Sequence, residues 1–355
     1  MYRKVSVVRK AFSPRSDERG RLSFKIRVRA ENKSWLHIGT GSVKLEVSEN
    51  TPKYIDKLMC EGKLTLNSLK SAIDRGVIVV GYDYYECTRY HGRIVIPGSS
   101  LKGVCRSRIE LLHRADDRGY VGSCFIRATA PVTQAPKKGV HGWRHYTIWG
   151  NVLGEYRGPP CQVTDRVSSV CSTCDVLGTS GLASKVLFGN LISGNAETVK
   201  LTLDFNEKIE AVKPGAVFEG DITFTSCNLA EVGLVLIGLN LHDPEKPILI
   251  GKSKYRSRLV VDGPPDVKGK RITFGIVNLK VTEILVPYRF KDYLNKVVGV
   301  ETPYINELGF IVLKGVQVSK FVDKAVSETL NVNPWIREGI KVNELEILRS
   351  SGVMQ

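Results

Sequence analysis

Between residues 93 and 112 a short strand runs directly into a helix, and no other stretch constrains the chain as tightly. Arg93-Ile-Val-Ile96 is β-branched and apolar, and Pro97 ends it. Gly98, Ser99 and Ser100 follow. From there Leu101, Val104, Cys105, Ile109, Leu111 and Leu112 recur with helical spacing, and Ser99 or Ser100 is expected to cap the first turn. A helix start with free amides, hydroxyls and the cations Lys102, Arg106 and Arg108 suits a phosphate. The alternative is a capped surface helix whose cations are merely solvated.

Residues 22 to 29 alternate apolar and polar, which predicts a half-buried strand with Lys25, Arg27 and Arg29 on its polar side. Leu36-His37-Ile38-Gly39-Thr40-Gly41 reads as a small-residue turn that backbone or ligand can approach closely. Residues 51 to 75 are polar and helical, with Tyr54, Leu58, Leu64 and Leu69 as an irregular apolar face. A β-rich run follows from Gly76 to Tyr85. Across 355 residues, 52 Lys and Arg stand against 36 Asp and Glu, a net charge of +16, while 42% of the residues are hydrophobic. Such a chain can fill a core, and its surplus charge points to a polyanionic partner. With no apolar run of membrane-spanning length and no apolar N-terminal signal, a cytoplasmic protein is expected.

Periodicity breaks down between about residues 114 and 180, where Pro131, Pro136, Pro159 and Pro160 and several glycines stand. Arg127, Lys137, Lys138, Trp143, Arg144, Tyr146, Trp149 and Arg157 mix cations with aromatics, a composition suited to phosphate contact and base stacking. A small satellite core would use the same aromatics. His141, His145, Cys161, Cys171 and Cys174 share this segment. Their H-x3-H and C-x9-C-x2-C spacings can supply the four donors of a structural zinc ion, with Cys171 and Cys174 the firmest pair and Cys124 or His113 as replacements. The eight cysteines are too sparse for a secreted disulfide scaffold. No HExxH accompanies them, so an open catalytic zinc site is not expected. His91 and His242 are read as ordinary surface or core residues.

Ile96-Pro-Gly-Ser-Ser-Leu-Lys-Gly-Val-Cys-Arg106 resembles the IPGSSLKG-x-x-R signature of the RAMP superfamily, the repeat-associated subunits of CRISPR effectors. Other segments resemble the family's in the same order. His37-Ile-Gly-Thr-Gly41 is similar to its LHIGSG turn, Cys174-Asp-Val-Leu-Gly178 with Leu182-Ala-Ser-Lys-Val-Leu-Phe188 to its C-x-x-FG and AS-R-V-x-F segment, and Ile248 to Tyr255 to its glycine-rich loop. The resemblance covers roughly residues 22 to 285. It implies an α+β chain with a modified ferredoxin-like (RRM-like) core. It also implies a backbone subunit, most like those of type III effectors, that binds guide RNA, polymerises along it with other effector subunits and copies of itself, and presents it to target nucleic acid.

On that reading the discontinuous core comprises residues 1 to 48, 76 to 113 and 181 to 285. A helical insertion spans 49 to 75, a zinc-bearing thumb 114 to 180, and a C-terminal extension 286 to 355. RNA contacts are expected from Lys25, Arg27, Arg29, His37, Ser99, Ser100, Lys102, Arg106, Arg108, Lys137, Lys138, Trp143, Arg144, Lys252, Lys254, Tyr255 and Arg256. Some relatives cut target RNA with a metal-bound aspartate before the IPGSS motif. Asp83 stands in that neighbourhood and would require Mg2+. A repeat-processing endoribonuclease would need a His, Lys or Tyr acid–base set, for which the sequence alone suggests only His37.

Overall fold

The computed structural model describes residues 2–16, 21–47, 50–78, 80–126, 131–300 and 304–353, without the side chains of 44–47, 50 and 80–83. Its main elements begin with β1 (Leu22–Asn32), β2 (Gly39–Val47), α1 (Asn50–Cys60), α2 (Leu66–Asp74), β3 (Val80–Cys87) and β4 (Arg93–Ile96). Then come α3 (Gly98–Leu112), α4 (Trp143–Leu153), α5 (Ser172–Leu177), β5 (Val186–Phe188), β6 (Leu191–Ser193), β7 (Thr198–Leu203) and β8 (Glu207–Val212). The last are β9 (Val217–Cys227), α6 (Leu229–Gly238), β10 (Ser257–Asp262), β11 (Ile276–Pro287), β12 (Phe310–Lys314) and α7 (Val316–Val332). The protein is α+β.

Two sheets organise these elements. The larger has the order β12-β11-β1-β9-β6-β4, antiparallel throughout, with β5 also paired to β9. Strict alternation along β1 sends Leu22, Phe24, Ile26, Val28 and Ala30 into the core. Helices α3, α6 and α7 pack together and complete that core. An Asn228–Glu231 capping box starts α6, whose apolar surface is buried almost all round. Two glycines let its neighbours close in: a Cβ on Gly233 would lie 2.1 Å from Ala325 O on α7, and one on Gly238 would lie 2.8 Å from Cys105 Sγ on α3.

The second sheet is ordered β10-β7-β8-β3-β2, with Arg271–Thr273 beyond β10. Its own small core holds Trp35, Leu201, Leu203, Ile209, Val260 and Phe274. β7 and β8 form a hairpin that turns at residues 204–206. The polar segment expected to be a helical insertion is the pair α1 and α2, lying between β2 and β3.

Residues 3–16 do not join the large sheet. They run along the 114–180 segment as a strap, pairing Arg3–Lys4 with Glu155–Tyr156, Ser6–Val7 with Tyr120–Val121 and Lys10–Ala11 with Ser169–Val170. At its end Ser13 donates to Asp175 at 2.6 Å, and the buried ammonium of Lys185 joins Ser13 to Glu231 on α6. Among the described residues no helix is long and apolar enough to cross a membrane.

Candidate metal centre and nucleic-acid surface

Four cysteines converge where the strap, α5 and the loops at 124 and 161 meet. Cys124, Cys161, Cys171 and Cys174 are all buried, all free of disulfides, and their sulfurs lie within 4.8 Å of one another. A tetrahedral ion with Zn–S bonds of about 2.3 Å places its sulfurs about 3.8 Å apart. Cys124 Sγ lies 3.6 Å from Cys174 Sγ and 3.7 Å from Cys171 Sγ. Backbone N–H groups of Cys124 and Cys171 donate to Cys171 Sγ and Cys161 Sγ, and the guanidiniums of Arg9 and Arg106 donate to Cys161 Sγ and Cys174 Sγ. Four thiolates around a divalent ion carry a net charge of −2, and two guanidiniums offset it. The donor set, spacing and charge therefore fit a metal ion such as zinc.

Two expected ligands are elsewhere. His141 sits in an exposed turn and His145 on α4, its ring 5.7 Å from that of Tyr255. Cys124 supplies the fourth sulfur, because the loop after α3 folds back under α5, a long-range contact that spacing could not single out. His113 is buried with Nδ1 on Ile109 O, and burial pushes it down to about 3.

Several cations expected at a nucleic-acid surface are committed to the fold. Arg108 is buried, donates to Gly238 O and Asn240 Oδ1 at the end of α6, and forms an ion pair with Glu344. Its guanidinium is held down to about 10 by desolvation. Arg106 is tied to Cys174, Gly178 O and Glu110. His37 is buried too, its Nδ1 2.6 Å from Glu210 O, and desolvation lowers its pKa. Its carbonyl accepts from Lys252 N at 2.9 Å, tying the 36–41 turn to the Gly251 loop. On the open face of the large sheet Lys25 and Arg27 meet Asp221, Arg27 also meets Glu283 and Arg29 reaches Glu219, a charge mosaic rather than a basic stripe. The expected serine cap of α3 is absent. Pro97 is the N-cap residue, and Asn190 Oδ1 accepts from Gly98 N at 3.0 Å. A Cβ on Gly98 would lie 1.9 Å from Phe188 O, so only glycine lets α3 start against β5.

The remaining cations follow a run of concavities. One of about 580 Å³ lies beside Lys102, Arg106 and Cys161. It shares Arg106 with a smaller cavity that reaches Ser107 and His145, and these two also line a third, of about 700 Å³, beside Arg144, Lys254 and Arg256. Arg256 in turn borders a fourth, of about 810 Å³, walled by Tyr84, Tyr85, Phe205 and Lys208. Ser99 is exposed and Ser100 half-buried at the start of α3. Lys137 is exposed near the third cavity, while Lys138 and Arg144 lie 5.8 and 5.7 Å from the Trp143 ring. Lys252 stands 4.2 Å from the Tyr85 ring centroid and pairs with Glu207, and Lys254 is 5.1 Å from the Tyr255 ring.

Phe205, at the tip of the β7–β8 hairpin, did not stand out in the sequence. It is 90% exposed in a left-handed conformation, φ 63°, that costs a bulky residue about 1–2 kcal/mol. Arg258, only 2% exposed, bolts the turn through Asp204 and Glu207. An aromatic inside Asp204-Phe-Asn206, between two alternating runs, was the available signal. Asp83 falls on β3, and its side chain is outside the described residues.

No protein-family model matches the chain, and no curated protein matches it. Solved structures do. Csc2 from Thermofilum pendens aligns at 12% identity with a TM-score of 0.37, over 97% of this chain and 93% of its own. A Csm3–Csm4 subcomplex of the type III-A CRISPR-Cas interference complex aligns at 14% identity and a TM-score of 0.32, over 85% of this chain and 97% of the matched one.

Proposed function

We propose that this protein is a backbone subunit of a CRISPR effector that holds guide RNA in single-stranded form along the run of concavities from α3 to the β7–β8 hairpin. The observation that carries the reading is the content of that run: Lys102, Arg144, Lys254, Arg256 and Lys208 alternate with Tyr255, Tyr85 and Phe205. Cations spaced along a groove hold successive phosphates, and accessible rings such as those of Phe205 and Tyr85 accept any base, so binding would be strong but indifferent to sequence. The IPGSS-type junction opens this run, consistent with the RAMP resemblance. The order β11-β1-β9-β6, antiparallel with α3 and α6 on one face, supports a ferredoxin-like core, since strands one to four of that motif lie in the order 4-1-3-2. In this reading Cys124, Cys161, Cys171 and Cys174 hold structural zinc that fixes the 114–180 segment against α3, and further copies and other effector subunits continue the RNA track.

Fluorescence anisotropy with unrelated single-stranded RNAs at several salt concentrations tests it. Comparable affinity for each RNA and a steep fall with salt are expected, with weaker binding to all of them after Lys102→Glu or Arg256→Glu. Binding that ignores both salt and these substitutions would overturn the proposal.

A further inference from the structure

One cavity, of about 270 Å³, lies away from the proposed RNA path and shares no lining residue with its four concavities among the described residues. The strap, α5, the start of α6 and the turn after α7 enclose it. Two carboxylates stand in its wall, and both are saturated. Asp175 accepts from Ser13 N and Oγ and from Arg15, while Glu231 accepts from Arg21, from the buried Lys185 and from Asn228 N. Three cations thus neutralise two carboxylates, and Lys10, exposed on the strap and without an ion pair among the described residues, adds a fourth. The surplus is positive, beside apolar walls of Val8, Val176, Leu234 and the Trp335 indole. Asn333, only 7% exposed, also lines the cavity, and its side-chain amide makes no hydrogen bond among the described residues. Trp335 Nε1 is likewise buried without a partner. Polar groups left unpaired inside a protein are costly, so two of them beside one cavity point to a ligand that pairs with them.

We infer that this cavity binds a nucleoside monophosphate, at a site separate from the RNA path. Each part of such a molecule has a counterpart here. Lys10 and Arg21 supply positive charge for the phosphate. The flat base lies against the apolar wall and the Trp335 indole. Asn333 carries an acceptor and two donors side by side, a pattern that matches the N6 and N7 edge of adenine. The volume falls just below the range of about 300–1,000 Å³ usual for small-molecule sites, which suits one nucleotide and leaves no room for a second. The inference does not depend on the RNA-binding reading, since the two sites have no residue in common among those described.

The test titrates the full-length protein with AMP, adenosine and inorganic phosphate by calorimetry, with and without an excess of single-stranded RNA. Expected are one AMP per chain, binding about tenfold or more weaker for adenosine and for phosphate alone, and no competition from RNA. Lys10→Ala and Asn333→Leu should each weaken AMP about tenfold, with RNA affinity and zinc content unchanged. Lys10 is exposed, so its substitution reports on the ligand even if Asn333→Leu disturbs the end of α7. No heat from AMP at millimolar concentration would overturn the inference. Phosphate alone binding as tightly as AMP would overturn the place given to the base, and displacement of AMP by RNA would overturn the separate site. Undiminished binding by the double variant would overturn the assignment to this cavity.

Discussion

Arg106 stands 3.7 Å from the sulfur of Cys174 through one guanidinium nitrogen and donates to the carbonyl of Gly178 through the other at 2.5 Å. A residue placed by sequence among the phosphate contacts thus braces the cysteine cluster. Arg106→Gln is expected to lower zinc retention against a competing chelator while leaving the salt slope of RNA binding nearly unchanged. Lys102→Gln should do the reverse, reducing that slope by about one unit. Metal analysis and salt titration of the two variants separate these roles.

The purified protein should carry one equivalent of zinc per chain. Cys124→Ser should lose it as completely as Cys171→Ser, whereas His141→Ala and His145→Ala should keep it, because among the described residues it is the four cysteines that converge. Loss of metal should open the loops at 124 and 161 to protease first, since the small core that holds them is built largely from the four cysteines themselves. Full zinc in Cys124→Ser would refute this ligand set.

Arg108 and Glu344 are buried to 5% and 3% side-chain exposure. Either one alone changed to alanine leaves an uncompensated charge and should cost about 3–5 kcal/mol in urea unfolding. Changing both to apolar residues of similar volume should recover much of that loss.

Phe205→Ala should weaken RNA binding about 5- to 150-fold, from about 1–3 kcal/mol per stacked base. Stability should not fall, because the side chain is almost wholly exposed. Phe205→Gly should bind as weakly yet unfold at higher urea, as the left-handed turn is relieved. Unchanged affinity in both would remove the ring from the RNA path.

Burial brings the Lys254 ammonium down to about 8, whereas Tyr255 is pushed up to about 12 and stays neutral through that range. As pH rises through 8 the RNA contact from Lys254 should fade and the salt slope should drop by about one unit, a change absent in Lys254→Met. Folding stability should move the other way. The folded state holds fewer protons than the unfolded between about pH 8 and 10.5, so this group's contribution rises with pH across that window.

Short-range patterns were legible. Alternation located β1, and the Pro97–Gly98 punctuation located the start of α3. Partners distant in the chain were not. Nothing near Arg108 hints at Glu344, Asp221 and Glu283 neutralise cations on a strand that reads as basic by itself, and Cys124 joins Cys171 and Cys174 only through a loop closed in three dimensions. Charge and sulfur carry no periodicity, so their pairing is set by topology. Phe205 escaped because a single aromatic in a turn has no periodicity of its own, although the alternating runs on either side marked the hairpin.

The strap over the 114–180 segment sets a timetable for synthesis. Arg9 leaves the ribosome 152 residues before Cys161, its partner, and at about 5–20 residues per second that is a wait of roughly 8–30 s. Tyr120–Val121 and Glu155–Tyr156 emerge before Cys161 to pair with Ser6–Val7 and Arg3–Lys4, Ser169–Val170 follows for Lys10–Ala11, and the fourth corner of the cysteine cluster cannot close before Cys174 is also out. The cysteine cluster is therefore completed midway through synthesis: a chain truncated just before Cys174 would hold every strand the strap pairs with but an incomplete thiol set, and of the large sheet only β1 and β4.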